Sequence, residues 1–372
     1  MTHAVAYTIS PVRDSRGVPI APLDAHLYGL SDSRRSSAAM SRSGKIAAIS
    51  SLGPGNASVI RIVRANGTAL TLQPPSDAVL TTAFSIENTS AGSTSRHSQT
   101  RFRNIVLAED GTPFATIGNL FSGAYSGVET NVFAWRGRWT IPLGKSHVDD
   151  GAGYAIAAVE TPDRFVFGTN YLGTFSNVDA MATEPHYQED QAFLLSRSGT
   201  QRLGYASVTA MQKRYIVGYA AGEREVNSPQ RGSAHSVALE WRDGRETTLG
   251  PGIAYGVNEA GDAVGSDDAT LGDRGRPTLW RRGTTIWFGT GVGTAFAISD
   301  SSEVVGTLDG TAFVADAAQP TAPRRLDDLI PRHDWHVSDA FAIARSGRIL
   351  GIASERGAAP SLVVLDPIGP RH

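Results

Sequence analysis

The sequence predicts an all-β fold, one seven-bladed β-propeller closed by its own N-terminal strand, on three observations. First, a glycine ends a short apolar run in six successive copies, at Gly118, Gly168, Gly218, Gly265, Gly306 and Gly351, with gaps of 50, 50, 47, 41 and 45 residues. A period in the forties with four strands per copy marks a propeller blade. Second, a further run recurs in step with that glycine, as in VFAWRG at Val132–Gly137, VALEWRDG at Val237–Gly244 and TLWRRG at Thr278–Gly283. Third, the last copy stops after Ser361–Asp366 without its fourth run, while the N-terminus carries a spare one at His3–Ser10. Donating that run to the last blade covers both exposed edges.

The clearest copy spans Gly252–Gly289. Its four runs, a to d, are Ile253–Val257, Asp262–Gly265, Pro277–Trp280 and Thr284–Phe288. Upstream, a first copy reads Ser36–Met40, Lys45–Ser50, Ser58–Val63 and Ala69–Leu72, and it lacks the glycine of run b. The Ser/Thr-rich stretch 74–100 separates it from the second copy and reads as an inserted loop. The blades are expected at about 36–73, 102–144, 153–204, 205–250, 253–289, 293–328 and 338–366 plus 3–10, all in one domain over 1–372.

Composition agrees. A hydrophobic content of 41 % suffices for a core, and 40 Gly with 19 Pro suit many short strands joined by turns. The net charge of −2 argues against a nucleic-acid partner. With no cysteine, disulfides and thiol nucleophiles are excluded. No apolar run is long enough to span a membrane, and the N-terminus lacks the pattern of a signal peptide. A cytoplasmic monomer is expected, or a secreted one if a leader precedes this sequence.

Several copies resemble the HAF-type repeat. The matching residues are Gly256-Val257-Asn258 with Gly261 and Gly265, Ala234-His235-Ser236-Val237 with Trp241, Val132-Phe133-Ala134-Trp135, and the ends Leu143-Gly144, Leu203-Gly204 and Leu249-Gly250. The resemblance covers most of the chain from about residue 100. It implies a propeller-like fold and no particular activity, since these residues build structure. The tryptophans at 135, 241 and 280 recur at one strand position, which reads as packing.

In a propeller the a–b and c–d turns share one face, and the b–c loops and d–a crossovers share the other. Here the first set is tight. The second includes long segments at Asn119–Asn131, Thr169–Gln191, Ala221–Ala234, Ser266–Arg276, Lys145–Gly153 and Asp327–Asp339. Long loops over a rigid scaffold carry binding and catalysis, so the functional site is expected on the long-loop face. His186 and Tyr187, within Glu184–Asp190, offer an acid–base pair, and His147 lies on the crossover into the same blade. Asp149, Asp150, Glu189 and Asp190 are the candidate ligands for a divalent metal ion, the one cofactor the sequence points to. His336 is a further catalytic candidate. His333 and His336 stand three apart, a spacing that suits a helical turn better than a strand, and Trp335 between them offers a ligand-stacking ring. Arg101, Arg103, Tyr125, Tyr171, Arg224 and Arg274 complete the candidate substrate contacts. Two functions follow. One is an enzyme of the lyase, cyclase or hydrolase class acting on a small or oligomeric polar substrate by His/Tyr acid–base or metal-assisted chemistry. The other is a non-catalytic propeller that binds a glycan, peptide or partner protein.

Overall fold

The computed structural model describes residues 6–14, 17–22, 38–51, 58–63, 69–75, 99–121, 127–143, 153–170, 191–221, 236–267, 275–331 and 334–369. Among them are seven four-stranded antiparallel sheets and no α-helix. None of these residues forms a helix long and apolar enough to cross a membrane. Blade one holds β2 (Ala38–Met40), β3 (Ile46–Ser51), β4 (Ser58–Val63) and β5 (Ala69–Leu72). Blade two holds β6 (Gln99–Leu107), β7 (Pro113–Phe121), β8 (Gly127–Trp135) and β9 (Trp139–Thr140). Blade three holds β10 (Gly153–Thr161), β11 (Arg164–Asn170), β12 (Gln191–Ser196) and β13 (Gly199–Tyr205). Blade four holds β14 (Ser207–Gln212), β15 (Tyr215–Ala221), β16 (Ser236–Arg242) and β17 (Arg245–Pro251). Blade five holds β18 (Ile253–Val257), β19 (Ala263–Ser266), β20 (Pro277–Arg281) and β21 (Thr284–Trp287). Blade six holds β22 (Gly293–Ile298), β23 (Glu303–Leu308), β24 (Thr311–Asp316) and β25 (Arg324–Arg325). Blade seven joins β26 (Trp335–Ile343), β27 (Ile349–Glu355) and β28 (Ser361–Pro367) to β1 (Tyr7–Pro11). The inner strands touch in ring order, β2 to β26 included. This is a seven-bladed β-propeller.

The N-terminal strand closes the ring as expected. β1 pairs with β28 from Tyr7↔Pro367 to Pro11↔Val363. Pro11 is tolerated because β1 is the outermost strand and has one ladder to satisfy. The chain then turns back: Val12 N–H donates to Leu362 O, and Leu362 N–H donates to Ile20 O. Tyr7, Val12 and Ile20 are buried, so apolar burial reinforces the ladder.

Two sequence expectations are corrected. The expected loop Asn119–Asn131 is mostly strand. β7 and β8 pair out to Phe121↔Gly127, because the ladder continues past the glycine of run b. Blade two also starts inside the stretch read as an insertion, since Gln99 and Thr100 pair with Leu120 and Asn119.

The core consists of seven apolar clusters, one at each blade junction. The six–seven junction packs Val305, Ala312 and Val314 against Val337, Ala340 and Val363, and the four–five junction packs Tyr215 and Val217 against Ala254 and Trp280. The other five repeat this arrangement. Trp241 is fully buried and donates from its indole to Leu203 O and Glu246 Oε2. The recurring strand-c tryptophans are packing residues, as their spacing predicts.

The recurring glycine has a steric cause. In blades four to seven, strand a carries a β-bulge immediately beyond the residue that faces the glycine, at Val208/Ala210, Ala254/Gly256, Ala295/Ala297 and Ala340/Ala342. The bulge drives a carbonyl of strand a toward strand b. A Cβ on Gly218, Gly265, Gly306 or Gly351 would lie 2.0, 1.9, 2.0 or 2.2 Å from Ser207 O, Ile253 O, Thr294 O or Asp339 O. In blade three the bulge falls one residue later, and a Cβ on Gly168 would meet only Gln191 O at 3.3 Å. Blade one has Ala48 at this position, and β2 pairs with β3 in unbroken register. Among the described residues the copy without the glycine is the copy without the bulge.

The a–b turns do more than join strands. In blades one, two, five, six and seven they share a five-residue form. Its first residue bonds the fifth, and the fourth (Gly44, Gly111, Gly261, Ser302 or Gly347) has positive φ. The second residue is always charged: Arg42, Glu109, Glu259, Asp300 and Arg345. These side chains and their neighbours bond every blade to the next. Ser43 Oγ donates to Glu109 O, Glu109 N–H to Glu160 O, and Lys213 N–H to Glu160 Oε1. Lys213 Nζ lies 2.5 Å from Glu259 Oε2, and Glu259 N–H donates to Asp300 Oδ1. Arg345 Nε donates to Asp300 Oδ2 at 3.1 Å, and Arg345 N–H to Arg42 O closes the circle. Three ion pairs then link blades that are not neighbours: Arg42 to Asp300 at 2.8 Å, Arg345 to Glu109 at 2.5 Å and Arg345 to Glu259 at 2.9 Å. Arg345 thus bonds blades one, two, five and six from blade seven.

Two consequences are measurable. Gly265→Ala forces a Cβ against the Ile253 carbonyl and the Trp280 ring, and is expected to lower the urea-unfolding free energy by about 1–3 kcal/mol. Gly168→Ala is expected to cost less than half of that. Arg345→Gln removes three partly exposed pairs, each of the ~0.2–1 kcal/mol class, and is expected to cost about 1–2 kcal/mol. The loss should shrink in 1 M salt, where the screening length falls to about 3 Å. Hydrogen bonds from Lys213 hold the Glu259 carboxyl below its usual range. For Asp300 burial acts upward, yet bonds from Arg42 and Arg345 outweigh it and the carboxyl also lies low. Groups depressed in the folded state stabilise it above their unfolded values, near pH 4, and that contribution is lost as pH falls through the folded ones. Acid-induced loss of stability below about pH 4 is therefore expected to be shallower in Arg345→Gln than in the wild type.

Candidate functional site

The long-loop face carries the ends of the b–c segments and the d–a crossovers. On the crossover from blade six to blade seven, β25 ends at Arg325 and a single 3-10 turn follows at Asp327–Leu329. The chain then enters β26 at Trp335. This brings His336 onto Asp327: imidazole Nδ1–H donates to Asp327 Oδ2 at 3.0 Å. The other carboxylate oxygen accepts Val337 N–H at 2.8 Å, and Arg325 Nη2 lies 3.8 Å from Oδ2. Asp327 is thus fixed by backbone and side chain together. The His336 side chain is 52 % exposed and the Asp327 side chain 20 % exposed. With Nδ1 committed to the carboxylate, Nε2 is the nitrogen left to accept a proton.

The helical turn expected for 333–336 is absent at His336. His336 is a strand residue opposite Ser354, because the β26–β27 ladder extends to Trp335↔Glu355. Trp335 is half-buried and packs on the apolar cluster between blades six and seven, so part of its ring serves the core. Arg101 and Arg103 both fall on β6, the inner strand of blade two. Arg101 pairs with Gly118, and Arg103 is the bulged residue between Phe102 and Asn104. His147, Asp149, Asp150, Tyr125, Tyr171, His186, Tyr187, Glu189, Asp190, Arg224, His235, Arg274 and His333 lie outside the described residues. Among the described residues no group of three His, Asp or Glu is placed to hold a metal ion.

A second organised cluster stands on the same face of blade five. Arg276 donates to Asp267 Oδ2 through Nε at 3.0 Å and Nη2 at 2.8 Å, and Trp287 Nε1 donates to the same oxygen at 2.8 Å. The guanidinium lies 4.1 Å from the indole centroid. This pair clasps the ends of the b–c loop. The charged circle at the opposite face is what reading the sequence missed. A signal was present, since a charged residue recurs after the first residue of five a–b turns, but it shows only when those turns are aligned with one another.

Neither protein-family models nor curated protein sequences give a match to this chain. Among solved structures it is similar to an acylaminoacyl peptidase from Pyrococcus horikoshii, with a TM-score of 0.51 and 10 % identity over 88 % of this chain and 50 % of the other. The chain thus spans half the length of that peptidase. It is also similar to a gluconolactonase from Xanthomonas campestris, with a TM-score of 0.43 and 10 % identity over 98 % of this chain and 91 % of the other. A Dyadobacter fermentans protein of unknown function gives a TM-score of 0.41 and 13 % identity over 73 % and 95 %. At these identities the likeness concerns the fold.

Proposed function

We propose that this chain is a propeller enzyme that acts on a small or oligomeric polar substrate at its long-loop face, with His336 as general base. The observation that carries this reading is the His336–Asp327 pair. A carboxylate on Nδ1 holds the imidazole in one tautomer and stabilises the imidazolium formed when Nε2 takes a proton. The proton comes from water in a hydrolysis, or from the substrate in a lyase or cyclase step. The charged circle supports the choice of face: ion pairs across the tight-turn end occupy the region around the axis, whereas the long-loop end carries the His336–Asp327 pair. On this reading His147, His186 and Tyr187 are further acid–base groups, and Asp149, Asp150, Glu189 and Asp190 are the residues that would hold a divalent ion.

The test is turnover of a panel of lactones, aryl esters and neutral oligosaccharides by the purified chain. His336→Ala is expected to lower kcat on any turned-over substrate by about 10²–10⁴-fold. Asp327→Asn should give a smaller loss with an altered pH–rate profile, and both variants should keep a wild-type circular dichroism spectrum. Full activity in His336→Ala would remove the residue from the chemistry. Binding of a panel member without turnover would favour the non-catalytic alternative.

A further inference from the structure

The junction between blades three and four differs from its neighbours on the inner side. Between blades two and three, Asn104 Nδ2 donates to Ile156 O at 2.8 Å. Between blades four and five, Thr209 Oγ1 donates to Ala254 O at 2.6 Å. Between blades five and six, Tyr255 and Phe296 pack edge to face with ring centroids 5.7 Å apart. Blade three offers alanines instead, at Ala155, Ala157 and Ala158. A methyl group can neither reach across nor donate. At this junction a cavity of about 240 Å³ remains.

Its wall is built from small groups: Ala155, Ala157, Gly168, Ala192 and Ala206. Gly168 is informative here. Its counterparts in blades four to seven are glycine because a carbonyl of strand a crowds them, but at Gly168 no such contact exists. Its lack of a side chain instead leaves this cavity open. Asn104, Gln191 and Ser207 put amide and hydroxyl groups on the wall, Phe167 and Val208 add apolar surface, and among the described residues no lining side chain is ionisable.

From this we infer that the cleft between blades three and four is a binding subsite for a small uncharged molecule bearing hydroxyl or amide groups. The described lining offers a charged ligand no counter-charge for the hydration it would lose, whereas its amides and hydroxyls can replace the water lost by a neutral polar one. The volume lies just under the roughly 300–1,000 Å³ of sites that bury drug-sized ligands, so the occupant is a single small ring or a shorter molecule. The inference stands independently of the chemistry at His336.

The test is isothermal titration and ligand-observed NMR on the full chain. Glucose, glycerol and acetamide serve as neutral probes, and acetate and methylammonium as charged controls. At least one neutral probe is expected to bind and the controls are not. Ala157→Leu fills the cleft, and is expected to weaken that binding at least tenfold with the thermal midpoint kept within a few degrees. Should Ala157→Leu fail to fold, Ala206→Val, a smaller filling, is read in the same way. His336→Ala should leave the binding intact, which separates this subsite from the proposed catalytic role. No binding of any neutral probe by the wild type would overturn the inference and leave the cavity a packing gap. Equal binding by wild type and the filled variant, or binding of the charged controls at the same strength, would overturn it as well.

Discussion

The ring depends on the charged circle at its tight-turn end. A propeller sheet has strong hydrogen bonds within each blade, but blades meet through apolar side chains, which are not directional. Much of the directional bonding between blades comes from the a–b turns, and at Arg345 several of these bonds meet. One planar guanidinium reaches carboxylates from three other blades because it presents several donors in a fixed fork, which a lysine at that position would not. The partners are half-exposed, so no single pair is strong. What matters is that each pair ties a different blade, so the set defines one angular arrangement of the seven.

This circle also gives the molecule two unlike ends. At the tight-turn end, turn geometry and ion pairs fill the region around the axis. At the other end the strands run out into segments whose lengths vary from blade to blade, and these carry the His336–Asp327 pair and the Arg276–Trp287 clasp. The same repeat thus produces a closed face and a variable one. In five blades its a–b turn is constrained by a five-residue hydrogen-bonding pattern, while its b–c segment differs in length from copy to copy.

The steric story of the strand-b glycine shows how far a repeat can be read from residues alone. Its spacing gave the period, and the period gave the blades. Its reason could not be read, since the bulge lies on another strand and the clash is with a carbonyl. Ala48 in blade one looked like a blemish in the repeat, whereas it belongs to a blade whose inner strand is regular. Gly168 looked like any other copy, yet it alone among the glycines with a defined contact is free of that clash and borders a cavity. His336 was legible as a candidate from residue type, but its secondary structure was misread, because the spacing to His333 carries no information about how far the β26–β27 ladder extends.

By itself the sequence determined the number of blades, the strand order within each blade and the closure by the N-terminal strand. These follow from local patterning and from matching a spare strand to a missing one. Only the tertiary structure decided which turn charges meet across the axis, that Asp327 rather than another crossover carboxylate holds His336, and that the junction between blades three and four keeps a cleft. Those outcomes depend on distances between residues up to 258 positions apart, as with Arg42 and Asp300. Such distances are set by the angle at which blades pack, and no spacing along the chain encodes that angle.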